Sequence, residues 1–222
     1  MALMNLQITN EILDAAEHLP EGATLVVHQL SWDDYEHLLE DLAERSHLRV
    51  SYDRGRLEIM SPSRGHESIV CLIEDLVLIY CQTFHLRLAK FGKTTWKQPR
   101  QGKGIEADAC YYVGDTQRIE RKESFDPDLD LPPDIAVEID ITSDSLKKFP
   151  IYAALSIPEV WWYDGASFRL YQLVDSAYVE IASSHFLPKL TGTMLTESIE
   201  IKKSQDQTEA REAFLRRIQS LK

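Results

Sequence analysis

The stretch DIAVEIDI, from residue 134 to residue 141, constrains the fold of this chain more than any other feature of its sequence. Its apolar residues form a run that is typical of a strand inside a β-sheet. Glu138 and Asp140 interrupt that run, and residues two apart project from the same face of a strand, about 6 to 7 Å apart. Carboxylates are costly to bury without a positive partner. The chain must therefore build a sheet around a strand that carries two acids on one face.

The elements on either side of this strand favour a mixed sheet. Apolar patterns predict further strands over 23–30, on both sides of a turn at 53–55, twice within 86–113, and three times between 159 and 183. Helical spacing of apolar residues predicts helices over 31–44, over about 66–80, around 145–156 and at the C-terminus. This order of elements is typical of the α/β (α+β) class, with a mixed β-sheet core flanked by helices.

Length and composition favour a single domain. The 222 residues, 44% of them hydrophobic, are enough for one sizeable core. We expect an N-terminal extension over 1–22 and an amphipathic C-terminal helix over 205–222. No run of about 18 uncharged apolar residues occurs, and the N-terminus is too acidic for a secretory signal. The sequence therefore predicts a cytoplasmic protein without a membrane partner.

The charge distribution argues against a protein that coats nucleic acid through a basic surface, because the formal net charge is −12. One segment differs from the rest. Between Leu76 and Ile105 there is no Asp or Glu, and six basic residues lie there: Arg87, Lys90, Lys93, Lys97, Arg100 and Lys103. A basic segment on an acidic body suits a site that contacts a phosphate chain at one place. The alternative is a solvated hairpin whose lysines protect a sheet edge.

A third acid can join the first pair. Asp108 opens another apolar strand, DACYYV, and its carboxylate meets Glu138 and Asp140 if the two strands are neighbours. A hard divalent cation such as Mg²⁺ or Mn²⁺ would neutralise such a cluster, because these ions prefer oxygen ligands. The alternative is a half-exposed strand with an ordinary polar face.

Several other kinds of site are excluded by the sequence. The pair His66 and Glu67 begins like the zinc motif HExxH, but Val70 stands where the second His is needed. No GxSxG, GxGxxG or GxxxxGK[ST] string occurs. On the predicted helix, His66 projects onto the middle of the apolar stripe and Glu67 onto its flank. His66 is therefore either a hydrogen-bonded core histidine or, with Glu67, a residue that orients water near a metal.

Three strings together resemble a known family: SPSRGHESI, GIEADACYYV and LPPDIAVEIDITSDSLKKFPIYAALSIPEVWWYDG. They are similar to the Uma-type family of bacterial restriction-endonuclease-like proteins, a branch of the PD-(D/E)XK nuclease superfamily. The likeness extends from Leu25 to Leu173. The residues that match the family motifs are Glu106-Ala107-Asp108, Glu138-Ile139-Asp140, Lys148, Tyr152 and the segment from Ser156 to Trp161.

This resemblance implies a restriction-endonuclease-like core of four or five strands with helices on both sides, and a Mg²⁺-dependent (or Mn²⁺-dependent) site that hydrolyses DNA. Asp108 and Glu138 would be the metal ligands, with the backbone carbonyl of Ile139 as a further one. Asp140 stands where the superfamily usually has a lysine, and its catalytic role would be that of a third metal ligand or of a partner for Lys148. Lys148, at the start of the next helix, would replace that lysine. A homodimer is also implied, since many enzymes of this superfamily act on two strands.

Three hypotheses follow for the function. The first is a metal-dependent endonuclease whose basic segment, with Arg87, Lys93, Lys97, Arg100 and Lys103, contacts the phosphates of DNA. The second is a catalytically impaired nuclease fold that acts as a nucleic-acid or protein interaction module, as the missing lysine at position 140 indicates. The third is a structural or regulatory oligomer that assembles through the C-terminal helix.

Overall fold

A computed structural model describes residues 2–42, 47–92, 94–122, 130–141 and 148–222, with the backbone alone for 2–8 and for residue 118. Its strands are β1 (Thr24–Val27), β2 (Arg49–Asp53), β3 (Arg56–Met60), β4 (Leu88–Lys90), β5 (Thr95–Gln98), β6 (Lys103–Glu106), β7 (Ala109–Val113), β8 (Ile135–Ile139), β9 (Glu159–Tyr163), β10 (Phe168–Val174) and β11 (Ala177–Ile181).

The helices are α1 (Ala2–Glu17), α2 (Trp32–Leu42), α3 (Arg64–Phe84), α4 (Gln117–Glu120), α5 (Phe149–Ala154), α6 (Gly192–Ser204) and α7 (Gln207–Gln219), with one turn of 3₁₀ helix at Pro99–Gln101. Across the parts of the chain that the structure describes, no helix has both the length and the hydropathy needed to cross a membrane.

The strands form two sheets. The larger sheet has the order β11-β10-β9-β8-β7-β4, in which β8 and β9 are parallel and every other pair is antiparallel. The smaller sheet has the order β1-β3-β2-β6-β5 and is antiparallel throughout. The predicted α+β class with a mixed sheet is confirmed. The second sheet was not predicted, because each of its hairpins is visible in the sequence but their pairing with one another is not.

The larger sheet is the centre of the molecule. Helices α3, α6 and α7 cover one face, where they pack on the apolar side chains of β7, β8 and β9. The opposite face packs against α5 and against the smaller sheet, which contributes Trp96 and Ile105 to the shared core. Helices therefore cover one face, as the resemblance implies, whereas a short helix and a second sheet cover the other.

Helix α3 is longer than the predicted helix over about 66–80 and is capped at both ends. The Oγ atom of Ser63 accepts a hydrogen bond from the backbone N–H of His66 (3.2 Å), which caps the first turn. His85 ends the helix in the left-handed conformation, with φ of 57°. The apolar stripe of this helix is buried against the larger sheet, so the N-terminal turn, with His66 and Glu67, is fixed at one end of that sheet.

Three helices were not predicted: α1, α6 and the single turn α4. The segment expected to be an N-terminal extension contains α1, which buries Ile12 and Ala16 in a core with α2 and the smaller sheet. The segment GTMLTESIEIKKS forms α6 although its glycine, threonines and isoleucines are weak helix formers. Burial of Met194, Leu195 and Ile199 against the larger sheet stabilises it. Tertiary packing, rather than local propensity, decides the structure of both segments.

Candidate active site

The three predicted acids lie at one end of two neighbouring strands. Asp108 is the last residue before β7, at the point where the chain passes from the smaller sheet to the larger one. Antiparallel pairing of β7 with β8 sets Ala109 opposite Val137, so that the backbone N–H of Ile139 donates a hydrogen bond to Oδ2 of Asp108 (2.8 Å). The side chains of Asp108, Glu138 and Asp140 are all buried.

Asp108 is surrounded by positive groups from two other elements. Arg49, the first residue of β2, donates from Nε to Oδ1 of Asp108 (3.2 Å) and from Nη2 to Oε1 of Glu67 (2.8 Å). His66 lies in the first turn of α3, with Nε2 at 3.1 Å from Oδ2 of Asp108 and Nδ1 at 3.6 Å from Oε1 of Glu67. We call Asp108, Arg49, His66 and Glu67 the Asp108 side of the site.

These contacts decide the charge states on the Asp108 side. Burial alone would raise the pKa of Asp108, but the hydrogen bond and charge of His66, together with Lys148 and Arg49, lower it. Burial would likewise lower the pKa of His66, but Asp108 and Glu67 raise it to about 9. The contact with His66 lowers the pKa of Glu67. Asp108 is therefore ionised and His66 is a cation at neutral pH.

The second acid, Glu138, has a different set of partners. Lys148 immediately precedes α5 and donates from Nζ to Oε2 of Glu138 (2.7 Å). The hydroxyl of Tyr152, one turn later, donates to Oε1 of the same carboxylate. Pro150 lies in the first turn of α5, where a missing N–H is tolerated. Lys148 thus reaches back to the end of β8 from the start of the following helix. We call Glu138, Lys148 and Tyr152 the Glu138 side.

The pKa of Glu138 is shifted in the opposite direction from that of Asp108. Burial raises the pKa of Glu138, and the charge of Lys148 offsets this only in part because the negative charge of Asp108 acts against it. The pKa of Lys148 is raised despite burial, by the charges of Glu138, Asp108 and Asp140. Lys148 is therefore a firmly charged ammonium group.

Asp140, at the position where the superfamily has a lysine, has a partner of another kind. Its Oδ2 accepts a hydrogen bond from the indole Nε1 of Trp162 on β9 (2.8 Å). The guanidinium of Arg169 lies over the ring of Trp162, 5.6 Å from its centroid. Asp140 is thus held to the neighbouring strand, and among its described contacts this indole bond orients the carboxylate.

The donor set fits a hard divalent cation of the Mg²⁺ type, which is commonly held by one or two carboxylates and several waters. A carboxylate has about four lone-pair positions, and the described hydrogen bonds to Asp108 use two, from Arg49 and the Ile139 amide, while His66 lies in ion-pair contact with it. Across the described ranges, no group of three or more His, Cys, Asp and Glu side chains is arranged as a metal cluster. The residues fit a metal held by the carboxylates of Asp108 and Glu138. Positively charged side chains of the protein already contact each of these two carboxylates.

The described residues of the predicted basic segment are divided between the two sheets. Lys90 is on β4 of the larger sheet, whereas Lys97 and Lys103 are on β5 and β6 of the smaller one. Lys97 pairs with Glu36 (3.1 Å), and Lys103 is buried and pairs with Asp53 (3.0 Å). Lys103 is therefore not available to a phosphate chain. The exposed members include Arg87 on the approach to β4 and Arg100 in the 3₁₀ turn. Lys93 lies outside the described residues.

Sequence reasoning missed two contacts of this site. Arg49 lies in LRVSYD, an ordinary strand sequence, 59 residues before its partner Asp108, and no local pattern marks it. Trp162 belongs to the apolar strand EVWWYD and looked like a core residue. Its register could have indicated its role, because the parallel pairing of β8 with β9 sets Trp162 opposite Glu138.

Comparison with known protein families gives a match over most of the chain. A family model named Uma2, described as "Putative restriction endonuclease", matches residues 32–203, which is most of the chain and includes all of the residues placed in the site above. No curated protein matches the chain.

Proposed function

The chain belongs to the Uma2 family, and on that premise we propose that it is a Mg²⁺- or Mn²⁺-dependent endonuclease that hydrolyses phosphodiester bonds of DNA. One observation carries the proposal: two buried carboxylates, Asp108 and Glu138, lie at the same end of adjacent strands with the ammonium group of Lys148 against one of them. Metal-assisted phosphodiester hydrolysis needs carboxylates that hold the metal, and a neighbouring lysine can stabilise the charge that develops on the phosphate.

Asp108 and Glu138 would hold the metal, with the main-chain carbonyl of Ile139 as a further oxygen donor. When bound, the metal lowers the pKa of a coordinated water and shields the charge of the phosphate. The ionised state of Asp108 suits a metal ligand, because His66 and Arg49 keep its pKa low. Tyr152 fixes the direction of the Glu138 carboxylate by donating to Oε1.

Lys148 would stabilise the negative charge that develops on the scissile phosphate. Its ammonium group has three N–H donors, and the contact with Glu138 uses one of them. The raised pKa of Lys148 keeps the group charged, so it acts as a fixed positive charge rather than as a base. Removing one such charge-stabilising donor typically costs about 2.7 to 4 kcal/mol in the transition state, or about 10² to 10³ in rate.

The test is cleavage of supercoiled, linear and single-stranded DNA in Mg²⁺, Mn²⁺ or EDTA. We expect metal-dependent cutting by the wild type, and a rate lower by about 10² or more for Asp108→Asn, Glu138→Gln and Lys148→Met. The matched controls are Asp53→Asn and Lys103→Met, because Asp53 and Lys103 form another largely buried carboxylate–ammonium pair (3.0 Å) away from the three acids. Cutting that survives the three site substitutions, or stops equally in the controls, would contradict the assignment.

A second candidate function has one observation in its favour. Three cations, Arg49, His66 and Lys148, already lie against the acids of the site, so the buried negative charge is largely balanced without a metal. This arrangement favours an interaction module that has lost catalysis. Salt-sensitive DNA binding without cutting in any metal would support this second candidate over the first.

A further inference from the structure

Arg49 connects two acids that have different environments. Asp108 is buried at the centre of the site, whereas the side chain of Glu67 is 45% exposed at the start of α3. The guanidinium group contacts both at once, with Nε donating to Asp108 and Nη2 donating to Glu67. Arg49 itself is 8% exposed and comes from the smaller sheet. A single buried cation is thus shared between the proposed metal ligand and a carboxylate at the solvent boundary.

This arrangement sets Arg49 in competition with any divalent cation for Asp108. Both are positive and both use the same carboxylate, so a metal on Asp108 must either displace the guanidinium or accept a close positive charge. In a buried site like charges repel strongly, because little water screens them. Glu67 offers the displaced guanidinium a partner that it already contacts (2.8 Å).

We propose that Arg49 controls the access of a divalent cation to Asp108, and that Glu67 retains the guanidinium when the cation binds. This inference rests on the proposed function, since it concerns the same metal site. Arg49 is here a positioning residue: it acts on the metal through Asp108, and Glu67 acts on the metal through Arg49.

Two substitutions should change metal affinity in opposite directions. Arg49→Met removes the competing charge and should tighten metal binding. Glu67→Gln removes the alternative partner, so the guanidinium stays on Asp108 and metal binding should weaken. An adjacent charge changes the proton affinity of a carboxylate by about one to three pKa units, and we expect at least about a tenfold change in metal affinity for Arg49→Met.

The experiment is calorimetric titration of the full chain with Mn²⁺ alone, at fixed pH and ionic strength and without DNA. The wild type is compared with Arg49→Met, Arg49→Gln, Glu67→Gln and the double variant Arg49→Met/Glu67→Gln. If Glu67 acts through Arg49, Glu67→Gln has no effect when Arg49 is already Met. If Glu67 instead contacts the metal or its waters, the loss persists in the double variant, and the proposal is overturned.

The matched control is Arg211→Met, which breaks another guanidinium–carboxylate contact on α3, between Nη1 of Arg211 and Oδ2 of Asp75 (2.8 Å). Its Mn²⁺ affinity should equal that of the wild type. Arg49→Gln also removes the positive charge but keeps a hydrogen-bond donor near Asp108. It replaces Arg49→Met in the titration if that variant does not fold. Glu67→Gln changes a half-exposed residue and gives an independent measurement.

The outcomes separate this inference from the proposed function. Wild-type Mn²⁺ binding that is unchanged or weakened in both Arg49 variants overturns the inference and leaves the proposed function standing. Binding in Arg49→Met but not in the wild type supports the inference and contradicts metal-dependent catalysis by the natural protein. Absence of binding in every variant overturns both.

Discussion

The Asp108 side and the Glu138 side of the site occupy the same strand end and have opposite electrostatic characters. Asp108 meets two cations and a backbone N–H, and its pKa is lowered. The described contacts of Glu138 are with the ammonium group of Lys148 and the phenol of Tyr152, and its pKa is raised. Both carboxylates are buried, so burial does not explain the difference. The segments that contact each acid do: β2 and α3 supply Arg49 and His66 to Asp108, and the residue before α5 supplies Lys148 to Glu138.

This difference assigns distinct tasks to the two acids under the proposed function. Pairs of titratable groups whose environments separate their pKa values commonly divide acid and base roles between them. Asp108 is the permanently ionised member and suits a fixed metal ligand. Glu138 holds its charge through Lys148, so the state of the lysine and the state of this carboxylate depend on each other.

The largest expected difference between the two sides is in stability. Asp108→Ala leaves Arg49 and His66 buried without their shared carboxylate, and breaking a buried pair in this way costs about 3 to 5 kcal/mol of unfolding free energy. Glu138→Ala removes one partner of Lys148, which keeps the nearby charges of Asp108 and Asp140, and should cost less. Urea unfolding in EDTA measures both.

The control for that comparison is Asp75→Ala, which breaks a half-exposed ion pair with Arg211 on the surface of α3. It should cost less than about 1 kcal/mol. An equal loss for Asp108→Ala and Glu138→Ala would show that the two sides do not differ in the way described above.

The second largest expected effect is the change in the free energy of unfolding with pH that His66 causes. The pKa of His66 is about 9 in the folded protein and 6.5 as its ordinary value, so the native state binds the proton more tightly. The stabilisation is complete below about pH 6.5 and is lost as the pH rises through 9, and it amounts to about 3 kcal/mol. Urea unfolding in EDTA from pH 6 to pH 10, for wild type and His66→Gln, measures it.

The direction in which this stabilisation changes with pH is the part of the prediction that the experiment can contradict. The stability difference between wild type and His66→Gln should shrink steadily over this pH interval. A difference that is flat, or that grows with pH, would mean that His66 is neutral in the folded protein and that Asp108 is not kept ionised by it.

The smallest of the three predicted changes in unfolding free energy is that of a substitution at Tyr152. Tyr152→Phe removes the hydroxyl that donates to Glu138, and a hydrogen bond to a charged group contributes about 1.5 to 3 kcal/mol. Its loss should also raise the pKa of Glu138 further, since the bond lowers it. Thermal or urea unfolding gives the stability change.

Tyr111→Phe is the matched control, because the buried hydroxyl of Tyr111 has no hydrogen-bond partner among the described residues. Removing it should change stability by less than about 0.5 kcal/mol, or increase it slightly. If the two phenylalanine variants lose the same stability, Tyr152 contributes to packing alone and does not fix the Glu138 carboxylate.

Much of the site was predictable because its acids lie on a strand with a clear pattern. The period of two sets Glu138 and Asp140 on one face, and the apolar run after Asp108 indicates a neighbouring strand. The family likeness indicated Lys148, which the periodicity alone did not. Arg49 could not be predicted, because its contact with Asp108 depends on how one sheet docks against the other.

The basic segment between Leu76 and Ile105 was harder to interpret than the acids, because the contacts of its side chains also depend on how distant parts of the chain pack together. Its lysines are close in sequence, but Lys97 and Lys103 find partners in Glu36 and Asp53, which lie in distant segments. Charge counted along the chain does not show which charges are neutralised in space. The second sheet and the helix α6 were missed for a related cause, since in both cases packing decides the structure.

The contact between Arg49 and Asp108 has a kinetic consequence for the newly made protein. The two residues are 59 positions apart and belong to different layers, and contacts of such sequence separation form slowly because a long loop must first close. The carboxylate site is therefore completed only when both sheets have assembled. A chain that is still being synthesised, or that has folded in one half alone, lacks the guanidinium beside Asp108, so under the inference above a divalent cation would reach Asp108 more readily before the smaller sheet docks.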